Sequence, residues 1–523
     1  MLSRGVKAAR QLQDKRAESY ALGNLSRIYE EIGEDRRARQ YTETALNIAQ
    51  FLQASDISYQ WQWQLGRLLA SQGDIKGAIA AYSEAVNTLQ SLRGDLVAID
   101  TEVQFSFRDK VEPVYRQLVG LLLDSAQNYQ KNNAQNCRGT EDKLQCRKTA
   151  EEYLQKARQT IEALQLAELD NYFQDACLDA KPQQIDRVDP QAAAIYPIIL
   201  PDRLAVILSI PGQPLRHYQT ELQRAKIETS LGQFQQFLSP AFSNKQRLRL
   251  AQEIYDWLIR PAETQLEENN IETLVFVLDG FLRNLPMAAL HDGDRYLIEK
   301  YSITLTPGLQ LLDPRPLARD RLQALTGGLT EARQGFKALP AVAWELEQIA
   351  SNLPVEQLLD REFTKSKLLG EIDEVNFTAI HLATHGQFSS NPEQTFILTW
   401  DSKIKVRELE NLLKMRAEDS SKPIELLVLS ACQTAAGDKR AGLGLAGVAV
   451  RSGARSTLAT LWSVNDRSTA TLMGEFYQNL LMSEEEGMTK AEALRRGQLK
   501  LLRNSKYQHP FYWAPFVLVG NWL

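Results

Sequence analysis

Cysteine and histidine are the scarcest chemistry-bearing residues of this chain, four and five among 523. Four cysteines (Cys137, Cys146, Cys177 and Cys432) cannot staple a chain of this length, so a disulfide scaffold is excluded and each thiol needs its own account. Long apolar runs are lacking as well. The stretch 192–200 is short and broken by Pro197, and the first turn carries Arg4, so neither a spanning helix nor a signal peptide is read and a cytoplasmic location is expected. There is no block of one charge. Sixty basic and 65 acidic side chains leave a formal net charge of −5, with no basic track for a phosphate backbone, so neither nucleic acid nor membrane is an expected partner. The length calls for two to four domains.

What is present begins with a repeat. Leu25, Gly33, Ala38 and Ala45 recur forty residues later as Leu65, Gly73, Ala78 and Ala85, with Leu69 answering Tyr29. Small residues at fixed intervals let two antiparallel helices approach, and the spacing resembles the tetratricopeptide pattern with helices lengthened beyond its usual period of about 34. A third unit is read from Ala150, Leu154 and Ala157, its first helix displaced to about 114–124 by a polar insert. That insert holds Cys137 and Cys146, which could form a redox clip across it, though their C-x8-C spacing matches no metal pattern and unpaired surface thiols are the preferred expectation. Residues 7–18 read as the second helix of a repeat whose first is missing, which predicts a truncated array. An α-solenoid over 1–185 is therefore expected, with a concave surface for a protein partner.

Near Pro190 the texture turns from alanine- and glutamine-rich to β-branched and aromatic. Strands are expected at 192–200, 203–210, 273–278, 303–306, 377–384, 424–431, 456–461 and 516–519, with helices at about 216–238, 244–260 and 341–352. Alternation of this kind predicts α/β layers, here as two lobes, 190–335 and 336–523, parted by a stretch punctuated by Gly327, Gly328, Gly335 and Pro340. Near-continuous hydrophobicity in the second lobe predicts a mainly parallel central sheet covered on both faces.

Two of these strands run into nucleophilic chemistry: one ends in Thr384-His385-Gly386, the other in Ser430-Ala431-Cys432-Gln433-Thr434. In an open α/β sheet the crevice lies outside the carboxyl ends of the strands, so adjacent parallel strands bring His385 and Cys432 together. The 47-residue separation is close to the roughly 50 residues between histidine and cysteine in caspases, and Ala-Cys-Gln matches the centre of the caspase motif. Gly386 has no side chain to obstruct a substrate carbonyl, so its N–H and that of Cys432 are candidate oxyanion donors. No third group orienting His385 can be picked from the sequence.

The strings HLATHGQF, LLVLSACQTAAGD, GFLRNLPMAALHDGDRYLIEKYSITLTPGLQLL and FYWAPFVLVGNW together resemble the CHAT family of caspase-related peptidases over about 200–523. The helical repeats are similar to the arrays such domains carry, notably in cyanobacteria. The resemblance implies a caspase-like fold of clan CD, beside caspases and separases, with the first lobe a degenerate, non-catalytic copy of the second. It implies a cysteine endopeptidase acting on protein or peptide substrates through Cys432 and His385, without cofactor or metal. A Leu-Trp-x-Val-x-Asp segment like that of separases ends in Asp466, which with Ala431 would line an S1 pocket for Arg or Lys; otherwise Asp466 caps a helix or complements its dipole.

Other motifs carry blander readings. His381 and His385 on one strand stand about 13 Å apart, too far to share a zinc ion, so His381 is expected in the core or behind the site. His291 sits in a His-Asp-Gly turn and reads as structural. Residues 442–447 match G-x-G-x-x-G but do not directly follow their strand, so a rim loop is preferred to a dinucleotide site. Residues 437–440 are a candidate processing loop. Two other classes of function stand beside the peptidase: a catalytically silent adaptor and a nucleotide-binding regulator.

Overall fold

A short turn recurs every twenty residues in the N-terminal part of the chain and divides it into α1 (Leu2–Gln11), α2 (Lys15–Glu31), α3 (Asp35–Phe51), α4 (Ser55–Ser71) and α5 (Ile75–Ser91). Each turn has one residue at positive φ: Gln13 (55°), Gly33 (77°), Gln53 (53°) and Gly73 (79°). That left-handed step lets the last carbonyls of one helix find donors before the next helix starts. Two 17-residue helices with their turns make the forty-residue repeat. Residues 7–18, expected as one helix, are split by this turn, because Gln13 reverses the chain and the Asp14 carboxylate caps α2 by accepting from the Ala17 N–H at 2.9 Å.

An L side chain in the left-handed region costs about 1 kcal/mol, and glycine does not. Gln53→Gly is therefore expected to raise stability, by no more than about 0.5 kcal/mol after the greater freedom of the unfolded glycine is subtracted. A thermal midpoint that stays level or falls would count against strain in that turn.

This structure is a computed structural model. It describes residues 2–92, 107, 109–132, 140–173, 188–308, 315–319, 322–389, 391–405, 407–409, 411, 424–434, 448, 453–481 and 488–523, with the backbone alone for 131–132, 140–143, 173 and 431–434. The chain forms two units, Met1–Cys177 and Leu178–Leu523.

In the first unit, Trp61 on α4 fills the gap to α2. Its ring lies where any side chain on Gly23 would have to go, and its Nε1–H donates to the buried Ser19 hydroxyl at 3.1 Å. Gly66 makes the same allowance for the ring of Tyr82. A third pair follows in α6 (Glu112–Asn132) and α7 (Thr140–Phe173), on which Ala150, Leu154 and Ala157 are buried. Cys146, on α7, is disulfide-bonded, against the expected free thiol; Cys137 and Cys177 lie outside the described residues. No helix among the described residues is long and apolar enough to cross a membrane.

Among the described residues the second unit is built on one sheet of thirteen strands. Its strands are β1 (Ala192–Ile199), β2 (Leu204–Ser209), β3 (Arg216–Thr220), β4 (Thr273–Phe276), β5 (Ser302–Leu305), β6 (Ala324–Gly328), β7 (Val355–Leu359), β8 (Ala379–Phe388), β9 (Phe396–Leu398), β10 (Lys403–Lys405), β11 (Leu426–Thr434), β12 (Ser456–Thr460) and β13 (Phe516–Gly520). The longer helices are α8 (Arg224–Phe237), α9 (Asn244–Leu258), α10 (Val342–Ala350), α11 (Lys365–Glu374), α12 (Asp466–Leu480) and α13 (Lys490–Leu502).

The sheet is mixed, which corrects the expected mainly parallel one. One parallel set runs β7-β6-β8-β11-β12 and another β13-β5-β4-β1. They meet antiparallel at β12 and β13, and β2-β3 and β9-β10 add antiparallel hairpins. A strand buried on both faces is apolar whichever way it runs, so the hydrophobic runs could not report direction. Two local expectations change as well. Residues 216–220 form edge strand β3 instead of opening a helix. The glycines taken as a break, Gly327 and Gly328, lie within β6, where side chains at those positions would run into the Phe363 ring and Val342. β6 pairs with β8, so the second parallel set begins before residue 335.

Candidate active site

β8 and β11 are neighbours in parallel register, as the strand-end argument requires. Both continue past the residues in question: β8 to Phe388 and β11 to Thr434, with Gly386 also paired to Ile397 of β9. The register shifts between Leu429 and Ala431. Leu382 pairs with Leu429, but His385 pairs with Ala431 and Gly386 with Cys432, so β8 holds one residue more than β11 there. An unbroken ladder would set His385 opposite Cys432; the bulge sets Gly386 there and leaves His385 one step diagonal.

His385 is half-buried and its Nε2 lies 2.7 Å from the backbone carbonyl oxygen of Lys337. A carbonyl can only accept, so the proton is on Nε2 and, in the neutral ring, Nδ1 is the basic nitrogen. Phe336 stacks on the imidazole with centroids 5.0 Å apart and planes at 30°. Neither neighbour was foreseen. Every residue has a carbonyl, so nothing in the identity of Lys337 marks it, and Phe336 is one aromatic in an irregular segment.

Behind the site His381 is fully buried. Its Nε2 lies 2.8 Å from Glu345 Oε1 on α10 and its Nδ1 3.1 Å from the Tyr477 hydroxyl on α12. Both ring nitrogens are thus engaged, in the core position expected of it. Burial, reinforced by Glu345, raises the Tyr477 phenol well above its ordinary value and keeps it neutral. His291 is held in its turn by accepting from the Gly293 N–H at 3.1 Å, its ring edge-on to Tyr296.

Asp466 is the first residue of α12, and the cap is its neighbour Asn465, whose side chain accepts from the Ser468 N–H at 3.2 Å. Asp466 Oδ2 instead accepts from the backbone N–H of Ala341, at the start of α10, at 2.5 Å. Burial raises its carboxyl pKa; the Ala341 N–H opposes this, Glu345 adds to it, and His385 and Arg467 oppose it.

Residues 437–440 and 442–447 lie outside the described residues. Among the described residues no group of three or more His, Cys, Asp or Glu side chains could hold a metal ion. The first unit has a cavity of about 570 Å³ between α2 and α4, lined in part by Tyr59, Trp63 and Gln64. There Arg67 lies 4.7 Å over the Trp63 ring and forks onto Glu30 at 2.7 and 3.0 Å.

The family described as CHAT domain matches residues 248–521. Tetratricopeptide repeat protein 28 of Homo sapiens is 23% identical over 325 residues, covering 51% of this chain and 13% of that protein. The chain thus spans a small part of this curated relative. Two crystal structures of the Saccharomyces cerevisiae separase–securin complex align with 97% of this chain and 50% of theirs, at 10% and 12% identity and TM-scores of 0.42 and 0.40, too distant to carry a conclusion.

Proposed function

The chain belongs to the CHAT domain family, and on that premise we propose that it is a caspase-like cysteine endopeptidase with Cys432 as nucleophile and His385 as acid–base. The observation that carries this reading is the parallel pairing of β8 with β11, which brings the backbone of His385 beside Ala431, the residue before Cys432, while a backbone carbonyl accepts a hydrogen bond from the imidazole's Nε2–H. Nδ1 is then the nitrogen left to accept the Cys432 thiol proton. The thiolate attacks a peptide carbonyl, and the backbone N–H groups of Gly386 and Cys432 are assigned to the oxyanion. As the C–N bond breaks, the imidazolium gives its proton to the leaving amine. A thioester remains, and water, losing a proton to Nδ1, hydrolyses it to a carboxylic acid and the free thiol.

Asp466, with Ala431, is assigned to S1, which predicts cleavage after Arg or Lys. A fluorogenic peptide panel tests it, and preference for Asp at P1 would reject it. The groove on α2 and α4 supports binding of a protein partner that restrains or targets the enzyme. A silent adaptor with the same fold is the alternative reading. A thiol-reactive peptide electrophile separates the two: the enzyme is labelled in a way that Cys432→Ala abolishes, and an adaptor is not.

A further inference from the structure

We propose that residues 330–341 form a strap that positions the His385 imidazole, and that Asp466 is the latch that closes it. The proposal rests on the role given to His385 above and assigns Asp466 a task that S1 recognition does not include. Both described neighbours of the His385 ring, the Lys337 carbonyl and the Phe336 ring, belong to this segment.

The segment joins β6 to α10 and is neither helix nor strand over its length, so no ladder sets its shape. A few bonds do. Its start is tied to Asp360, whose carboxylate accepts from the Thr330 N–H at 2.7 Å and the Thr330 hydroxyl at 2.6 Å. Its middle is folded by reciprocal backbone bonds between Arg333 and Phe336 and closed by Leu339 N–H to Thr330 O at 3.0 Å. The Arg333 guanidinium lies 3.1 Å over the Trp400 ring.

The far end hangs on Asp466. Ala341 immediately precedes α10, where backbone N–H groups have no acceptor within the helix, and its N–H goes to Asp466 Oδ2. That carboxylate is a fixed point, since α12 is buried along Ser468, Ala470, Leu472, Met473 and Phe476. Only three residues separate Ala341 from Lys337, so a shift at the latch moves the carbonyl that holds Nε2–H. Once that acceptor moves, the ring can rotate or place its proton on Nδ1, the nitrogen that has to be free. Asp466 acts here through another residue and is a positioning residue.

The donor can be removed without touching the carboxylate. Ala341 has φ of −80°, which proline adopts, so Ala341→Pro deletes the N–H, and because Pro340 precedes it the variant also restricts the backbone at Pro340, which makes the Asp466 variants the second arm of the test. Asp466→Ala deletes the acceptor, and Asp466→Asn keeps one. The readouts are kcat and KM on peptides with basic and neutral P1 residues, and the ring-nitrogen chemical shifts of His385 in the full chain. We expect Ala341→Pro and Asp466→Ala to lower kcat by about tenfold or more at every P1 residue with little change in KM, since a small misplacement of a catalytic group has effects of this order. The His385 ring should pass from the Nε2–H form to a mixture, and Asp466→Asn should restore what Asp466→Ala loses in those shifts. An unchanged kcat and an unchanged ring in Ala341→Pro would overturn the proposal, as would a loss in Asp466→Ala confined to basic P1 peptides, which marks an S1 acid only. If His385→Ala leaves cleavage intact, the catalytic reading fails by itself, and the ring shifts in Ala341→Pro still decide whether the strap holds the imidazole.

Discussion

Cys432→Ala is expected to abolish peptide cleavage, and His385→Ala to lower kcat/KM by about 10²–10⁴-fold, the usual worth of a positioned acid–base group. The thiol supplies the bond-forming atom, so no other group can substitute for it. The imidazole supplies a proton path, which water replaces poorly. Because the two act as a unit, the double variant should be no slower than Cys432→Ala alone. His381→Ala is the informative control. Its ring is buried between Glu345 and Tyr477, so its loss should lower stability while any remaining turnover still requires Cys432 and His385. The measurement is steady-state turnover of whichever peptide proves best cleaved, with folding checked by thermal midpoint. Cleavage by purified Cys432→Ala within tenfold of the unmodified protein would remove Cys432 from the mechanism.

Lys490→Met is expected to stabilise the second unit at neutral pH and to flatten its response to alkali. Lys490 opens α13 with its side chain fully buried and its Nζ without a hydrogen-bond partner among the described residues. Burial depresses its pKa from 10.5 to about 8; attraction from Glu425 opposes that and repulsion from Arg455 adds to it, the latter two being paired to each other at 2.8 Å. The positive end of a helix is also a poor place for a cation. Below about pH 8 both folded and unfolded chains hold the proton, and the whole cost of burying the charge falls on the folded state. Between about 8 and 10.5 the folded state releases a proton that the unfolded chain keeps, so stability rises with pH. The gap corresponds to roughly 3 kcal/mol at most. Methionine keeps the length without the charge, so the variant should gain stability at pH 7 and lose the rise above pH 8. Urea midpoints at pH 7 and 10 measure both effects by tryptophan fluorescence, six of the eight tryptophans lying in this unit. Parallel pH curves for the two proteins would show that Lys490 holds no such depressed pKa in solution.

The sequence was most legible where burial and side-chain chemistry coincide. The run from Leu426 to Ala431 could only be a strand covered on both faces, and Cys432 at its head was conspicuous because so few thiols occur. The forty-residue echo of Gly33 in Gly73 marked the repeat, but these glycines, read as letting helices approach, instead serve the turns, where their positive φ favours glycine and no neighbour crowds them. The intervening turns, at Gln13 and Gln53, use glutamine at the same φ and left no mark. Gly327 and Gly328 misled for a related reason. A glycine reports that a side chain is absent, and only the neighbours Phe363 and Val342 show that it makes room within a strand.

By itself the sequence determined the forty-residue repeat, the apolar strands of the second unit, and the two residue types able to do nucleophilic chemistry at the heads of two of them. These follow from side-chain identity and spacing, which are local. The direction of β13, the bulge that places Gly386 beside Cys432, the Lys337 carbonyl on His385 and the hold of Asp466 on Ala341 were decided by tertiary structure. Each depends on backbone groups that every residue carries alike, so which of them meet is set by where distant segments return in space.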